Sequence, residues 1–152
     1  MSYTILIVSI SSPLLIGIYD NGSGELIKSV ESDKKTSDSL LKILMDLKEN
    51  FDVNHIIYTN GPGSYMANKL TYITLATLEI IEGTKFSACD AFSLNGNNPI
   101  KAMGKIYFIK EKENIITKKF NEAVEQKFEL PKSLDNIKLL DDNRPMYVLP
   151  AV

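Results

Sequence analysis

The Gly61-Pro62-Gly63-Ser64 turn is the segment of this sequence with the clearest chemical possibilities. A glycine-rich turn before a helix can cradle a phosphate group with its backbone N–H groups. This turn lacks the Lys-Ser/Thr ending of a P-loop, and Pro62 has no N–H to donate. The sequence therefore favours a rigid strand-to-helix turn over a nucleotide site, with two glycines supplying backbone freedom and Ser64 capping the helix.

Two side chains could act as nucleophiles, and neither has a convincing base. Ser64 would need a base within hydrogen-bond reach, but His55 begins the strand that ends at the turn. Cys89 could formally pair with His55, but its apolar, strand-like surroundings favour a buried, unreactive thiol. One cysteine and one histidine cannot build a Cys/His zinc site, and a single cysteine fits a reducing compartment. We therefore predict no catalytic residue, no metal site and no cofactor.

The composition is that of a small globular protein. The chain has 152 residues, 44% of them hydrophobic and 24% charged, with a mean hydropathy of -0.05. No apolar run approaches the length of a membrane span, and the apolar start alternates like a strand instead of resembling a signal peptide. A net charge of -2 argues against strong nucleic-acid binding by the chain alone. These features predict a cytoplasmic protein.

The residues that carry this chemistry are positioned by a predicted α/β domain with a mixed five-stranded sheet. An opening antiparallel meander turns at Asn21-Gly22, a dipeptide that favours tight hairpins. A first helix follows Thr36, Ser37 and Asp38, which are all possible N-caps, and a second helix runs from Ser64 to a stop at Gly83. The predicted strands are Tyr3–Ile10, Leu14–Asp20, Glu25–Glu31, His55–Thr59 and Lys85–Cys89.

After Asp90 the sequence becomes more loop-like and more highly charged. We predict one domain over residues 1–90 and a reduced second subdomain with a C-terminal tail over residues 91–152. Within the second part, Lys105–Lys110 and Asn114–Phe120 are expected to form a hairpin around Glu111-Lys112-Glu113. Residues 146–152 form a short apolar tail.

The second helix is unusually apolar for a helix that packs on a sheet with its other side in water. Met66, Leu70, Ile73 and Ile81 fall on one face, while Leu75 and Leu78 lie far round the helix. This pattern indicates burial on more than one side. Either the first helix and C-terminal segments cover the helix within the monomer, or a second protein covers it.

The stretch Ile56–Tyr65, with its Asn-Gly-Pro-Gly-Ser-Tyr ending, resembles the signature of the TsaB (YeaZ) family, in which a strand ends in Gly-Pro-Gly-Ser-Phe. The order of predicted elements is also the order of that family's N-terminal domain. Three weaker patches agree with the family's opening strand, its first helix start and its Pro-x-Tyr-Leu tail. They are Ile5–Pro13, Lys35–Leu41 and Arg144–Val148.

The resemblance implies an actin-like ATPase fold (ribonuclease H-like) in degenerate form. It also implies a scaffold that binds the catalytic subunit TsaD through its two N-terminal helices, or forms a homodimer. That complex, which includes the ATPase TsaE, makes threonylcarbamoyladenosine beside the tRNA anticodon, so tRNA would be contacted only indirectly. Partner-facing residues are predicted on the second helix and on the exposed side of the first: Tyr65, Lys69, Tyr72, Ile73, Ala76, Ile80 and Ile43.

The chain departs from the family pattern at several positions. Ser9 and Ile10 match the family's Asp-Thr, so this turn lacks the acidic residue that helps active actin-like ATPases hold Mg²⁺ and phosphate. Thr36 matches a family histidine, and Tyr65–Lys69 matches Phe-Thr-Gly-x-Arg. The leading hypothesis is a non-catalytic subunit of a tRNA-modifying complex. The alternatives are a residual nucleotide-binding ATPase and a stand-alone homodimer with a structural role.

Overall fold

The structure is a computed structural model that describes residues 1–112, 114–126 and 128–146. The predicted apolar tail therefore lies outside the described residues beyond Met146. Tyr147 and Val148 of the tail motif, and Glu113 of the predicted hairpin turn, also lie outside them.

A five-stranded mixed sheet forms the centre of the molecule, in the order β3-β2-β1-β4-β5. The first three strands pair antiparallel, as the predicted meander requires, whereas β1–β4 and β4–β5 pair parallel. The predicted mixed α/β sheet is therefore confirmed. The strands are β1 Tyr3–Val8, β2 Leu14–Asp20, β3 Leu26–Ser32, β4 Val53–Thr59 and β5 Lys85–Cys89.

Two helices lie on one face of this sheet, α1 over Thr36–Asn50 and α2 over Tyr65–Glu82. The start of α2 is as predicted, because the Ser64 hydroxyl accepts a hydrogen bond from the Ala67 N–H. Its end is also as predicted, because Gly83 adopts a left-handed conformation with φ of 75°.

The predicted N-cap of α1 is wrong. The capping position is Lys35, which makes no side-chain capping bond, so Thr36, Ser37 and Asp38 are already inside the helix. The Ser39 hydroxyl donates back to the Lys35 carbonyl at 3.0 Å, and the Asp38 N–H donates to the same carbonyl at 2.9 Å. The backbone thus begins this helix without the side-chain cap that the sequence suggested.

Both faces of the sheet are covered, because successive side chains along a strand point to opposite sides. On one face, Ile5 and Ile7 of β1 pack with leucines of α1 and α2. On the other face, Leu6 and Val8 pack with Phe92 and further apolar residues from the second part of the chain. Central strand β1 is thus fully buried from Ile5 to Val8.

The second part of the chain adds a three-stranded antiparallel sheet, β6 Ile100–Met103, β7 Ile106–Glu111 and β8 Asn114–Lys119. The predicted hairpin corresponds to β7 and β8, whereas β6 was not predicted. The chain then returns to the large sheet, where the Tyr19 hydroxyl donates to the Pro131 carbonyl and the Leu140 N–H donates to the Ala88 carbonyl. No helix in the described part of the chain is long and apolar enough to cross a membrane.

Candidate partner-binding site

The Gly61–Ser64 turn is packed tightly against the end of the first strand. The Ser64 N–H donates to the Ile10 carbonyl at 3.3 Å, and the Ala91 N–H donates to the Gly61 carbonyl at 2.9 Å. A Cβ added to Gly63 would lie 2.8 Å from the Cβ of Ile10, so only glycine fits there. The Ser64 N–H, which a phosphate cradle would need, is therefore already used inside the protein.

A C-terminal segment covers the same turn from another side. The Met146 N–H donates to the Asn60 carbonyl at 2.8 Å, and a Cβ on Gly61 would lie 3.2 Å from that of Met146. On β4, just before the turn, the Tyr58 hydroxyl donates to the Asn143 carbonyl at 2.6 Å. The segment thus holds the turn in place and occupies space beside Gly61.

A groove of about 320 Å³ lies between the β1–β2 turn and the starts of both helices. Its lining includes the hydroxyl residues Ser9, Ser11 and Ser12 together with Lys34 and Lys35. The Ser9 hydroxyl is buried and pairs with the Thr71 hydroxyl at 2.7 Å. The Ser9 hydroxyl is therefore satisfied internally by α2.

The possible nucleophiles and the histidine lie in different places. His55 pairs in register with Lys85 and Cys89 pairs with Thr59, so the two are separated along the sheet by four residues, roughly 13 Å. Burial lowers the pKa of His55, whose Nε2 lies 2.8 Å from the Ser87 hydroxyl. Burial and the nearby Asp90 charge raise the pKa of Cys89 to about 12, so its thiol stays protonated. The structure does not bring Ser64, Cys89 and His55 together as a catalytic site.

The most distinctive surface is formed by large apolar side chains on the outward sides of α1 and α2. Their exposed fractions range from 40% for Met45 to 85% for Ile80. The opposite side of α2 is buried and consists of Asn68, Thr71, Leu75 and Leu78. We call the exposed set the apolar helix surface: Leu41, Met45, Met66, Ile73, Ile80 and Ile81.

The predicted partner-facing residues divide into two groups. Four of them are exposed on α2: Tyr65, Lys69, Ile73 and Ile80. The other three are half-buried and pack against the helix-side core: Tyr72, Ala76 and Ile43.

The predicted exposure of Ile43 is therefore wrong. It lies on the core-facing flank of α1, whereas Leu41 and Met45 are the exposed apolar residues of that helix. The Tyr72 ring packs against the Phe86 ring, with 5.8 Å between the two ring centroids. Leu41, Met45, Met66 and Ile81 are also exposed, and the sequence did not place them among the predicted partner-facing residues. The sequence grouped Met66 with Ile73 and Ile81, but it carried no signal for which face of α2 turns outward.

An ion pair between Lys48 and Glu82 joins the two helices, and the Lys48 ammonium also donates to the Thr84 hydroxyl at 2.6 Å. Because both side chains are partly buried, this pair fixes the two helices relative to each other more effectively than an exposed pair would. The apolar helix surface is thus presented on a preorganised pair of helices. The described residues contain no cluster of three or more potential metal ligands.

No family model matches the sequence, and no curated protein matches it either. Solved structures do match the fold, two YeaZ-type proteins among them. YeaZ from Pseudomonas aeruginosa covers 82% of this chain and 71% of its own, with a TM-score of 0.58 and 12% identity. A protein described as similar to the peptidase YeaZ, also from Pseudomonas aeruginosa, covers 82% of this chain and 70% of its own, with a TM-score of 0.58 and 13% identity. The predicted likeness to the TsaB (YeaZ) family is thus confirmed at the level of the fold, because the chain has the α/β fold of YeaZ.

Proposed function

We propose that this chain is a non-catalytic scaffold subunit of the TsaD-containing complex that makes threonylcarbamoyladenosine next to the tRNA anticodon. It works in the cytoplasm, binds a TsaD-type catalytic subunit and joins a TsaE-type ATPase in the larger complex, with tRNA contacted only indirectly. The observation that carries the proposal is the apolar helix surface, presented on a YeaZ-like fold.

The chemistry of this surface supports a protein partner. Monomeric proteins rarely expose large contiguous apolar patches, and Ile73, Ile80 and Ile81 lie within about two turns of one helix. Covering these side chains removes apolar area from water, which stabilises the complex by roughly 25 cal/mol per Å² before the costs of association are subtracted. The Lys48–Glu82 pair also holds the two helices before docking, which lowers the entropic cost of association.

The test is binding of the purified chain to the TsaD-type subunit of the same organism, measured by calorimetry. Ile73→Arg and Ile80→Arg place a charge on the apolar helix surface and should abolish the complex while leaving the fold intact. Ile27→Arg is a matched control, because Ile27 and Ile73 are both 49% exposed and Ile27 lies on edge strand β3.

Cellular function gives a second readout. Depletion of the chain should lower the threonylcarbamoyladenosine content of tRNA, measured by mass spectrometry of nucleosides, and the Ile73→Arg variant should fail to restore it. Unchanged binding by both helix variants would refute the proposed surface. Normal nucleoside content after depletion would refute the tRNA-modifying function.

A second candidate function, residual nucleotide binding, is favoured by the groove that contains Lys34, Lys35 and several hydroxyl groups. Calorimetry with ATP and Mg²⁺ tests it, with Lys34→Ala/Lys35→Ala as the variant that should lose binding. The third candidate, a stand-alone homodimer, uses the same apolar helix surface. Sedimentation of the isolated chain at several concentrations tests that candidate.

A further inference from the structure

Lys69 is an exposed charge on the most apolar stretch of α2. Its neighbours one helical turn away are Tyr65, Met66, Tyr72 and Ile73, and none of them is acidic. No salt bridge joins Lys69 to another described residue. Among the described residues, no carboxylate pairs with this positive charge.

The two carboxylates of α2 cannot reach this position. Glu79 and Glu82 lie ten and thirteen residues further along the helix, which is about 15 Å and 20 Å at 1.5 Å per residue. Glu82 is already paired with Lys48. No acidic group of α2 therefore lies within reach of Lys69.

A partner that covers Ile73 must also cover Lys69, because the two residues lie one turn apart on the same side of the helix. Removing the ammonium group from water without an opposite charge is costly, so an apolar partner surface would be penalised there. A carboxylate opposite Lys69 removes that penalty, and it excludes partners that lack one.

A contact of α2 with the α2 of a second copy fits this requirement poorly. In such a two-fold contact, Lys69 faces the outward residues of the same helix, which are apolar or uncharged at Met66, Ile73, Thr77 and Ile80. Exposed carboxylates do lie on α1, at Asp38, Asp46 and Glu49, whereas Glu82 of α2 is already paired with Lys48. The α1 carboxylates meet Lys69 only if α1 of one copy crosses α2 of the other.

We infer that Lys69 selects the partner: the protein that docks on the apolar helix surface carries an Asp or Glu opposite Lys69, and self-association through α2 is disfavoured by the same charge. This inference rests on the proposed function, since it concerns the subunit that covers the same surface.

The experiment measures the affinity of the full chain for the TsaD-type subunit, and its self-association, for three variants. Lys69→Glu should weaken the heterocomplex by at least roughly 30-fold, because it sets two carboxylates against each other. Lys69→Met should also weaken the heterocomplex but strengthen self-association, because it removes the unpaired charge from an apolar surface. Lys28→Met, on edge strand β3, is the control and should leave both affinities within twofold.

Salt provides a readout that a purely structural role would not change. Raising the ionic strength should weaken the wild-type heterocomplex more than that of Lys69→Met, because only the former contains the charge pair. Far-ultraviolet circular dichroism should show the same fold for all three variants.

The outcomes separate this inference from the proposed function. If Ile73→Arg abolishes binding while Lys69→Glu stays within twofold of wild type, the selecting role of Lys69 is overturned and the scaffold function stands. If Lys69→Glu weakens self-association and spares the heterocomplex, the carboxylate comes from a second copy and the inference is overturned. If the wild-type chain does not bind the TsaD-type subunit at all, both proposals fail.

Discussion

Replacing Gly63 with alanine tests whether the turn before α2 is as tightly packed as described. Gly63 has a φ of 154°, and an added Cβ would lie 2.8 Å from the Cβ of Ile10 and 3.3 Å from its carbonyl oxygen. Ile10 is buried and accepts the Ser64 hydrogen bond, so it has little freedom to move. The substitution therefore combines a strained backbone with a steric clash.

The two costs can be separated with two other glycines. A sparsely populated backbone conformation costs about 1–3 kcal/mol, and overpacking a rigid site adds about 1–3 kcal/mol. Gly83 has a φ of 75° but no atom within 4 Å of an added Cβ, so Gly83→Ala should cost only about 1–2 kcal/mol. Gly22 lacks a positive φ and would meet only the Asp20 carboxylate, so Gly22→Ala should stay within about 0.5 kcal/mol.

The assay is urea unfolding followed by circular dichroism, with the free energy of unfolding obtained by linear extrapolation. We expect Gly63→Ala to lose roughly 2–6 kcal/mol, the sum of both terms. The order of destabilisation should be Gly63, then Gly83, then Gly22. If Gly63→Ala costs no more than Gly83→Ala, the turn has room to relax, and its description as a rigid support for α2 is wrong.

Three further predictions concern single side chains. Ser64→Ala should lower the free energy of unfolding by about 1 kcal/mol, measured in the same urea assay, because it removes the N-cap bond to the Ala67 N–H. Cys89 should react with a thiol reagent in the native protein only at the rate of unfolding, because it is fully buried and its pKa is raised; fast labelling would contradict this. Burial lowers the pKa of His55 below 6.5 in the folded protein. As pH falls, the unfolded chain therefore binds the proton first, and the free energy of unfolding should decline below about pH 6.5. His55→Gln should flatten that decline in urea titrations from pH 7.5 to 5.5.

Much of the fold could be predicted because local signals agree with the final packing. Leu14–Asp20 and Lys85–Cys89 were predicted with the observed bounds, since turn residues or glycine flank apolar runs there. The second helix has both a side-chain cap at Ser64 and a glycine stop at Gly83, so its ends are set by local chemistry. By contrast, β6 is only four residues long, includes Lys101 and follows Pro99, which leaves little local signal for a strand.

The exposed side of α2 was harder to predict, because the helix is apolar on two sides. Its buried side includes the polar residues Asn68 and Thr71, whereas its exposed side contains three isoleucines. The Thr71 hydroxyl is satisfied by the Ala67 carbonyl and pairs with Ser9, so burial does not leave it without a partner. A pattern of hydrophobic residues alone therefore points to the wrong side of this helix. Only the position of the sheet decides which side is outward.

Both faces of the large sheet are covered, but by different parts of the chain. The face formed by Leu6, Val8 and Ile57 is sealed by Phe92, Phe108 and their neighbours, and the helices cover the other face. Most of the large apolar side chains that stay exposed in the described residues therefore lie on the helix side, on α1 and α2. Removing the residues of the second part that cover Leu6 and Val8 would expose a second apolar surface on the opposite side of the sheet. Under the proposed function, two such surfaces would allow more than one order of assembly.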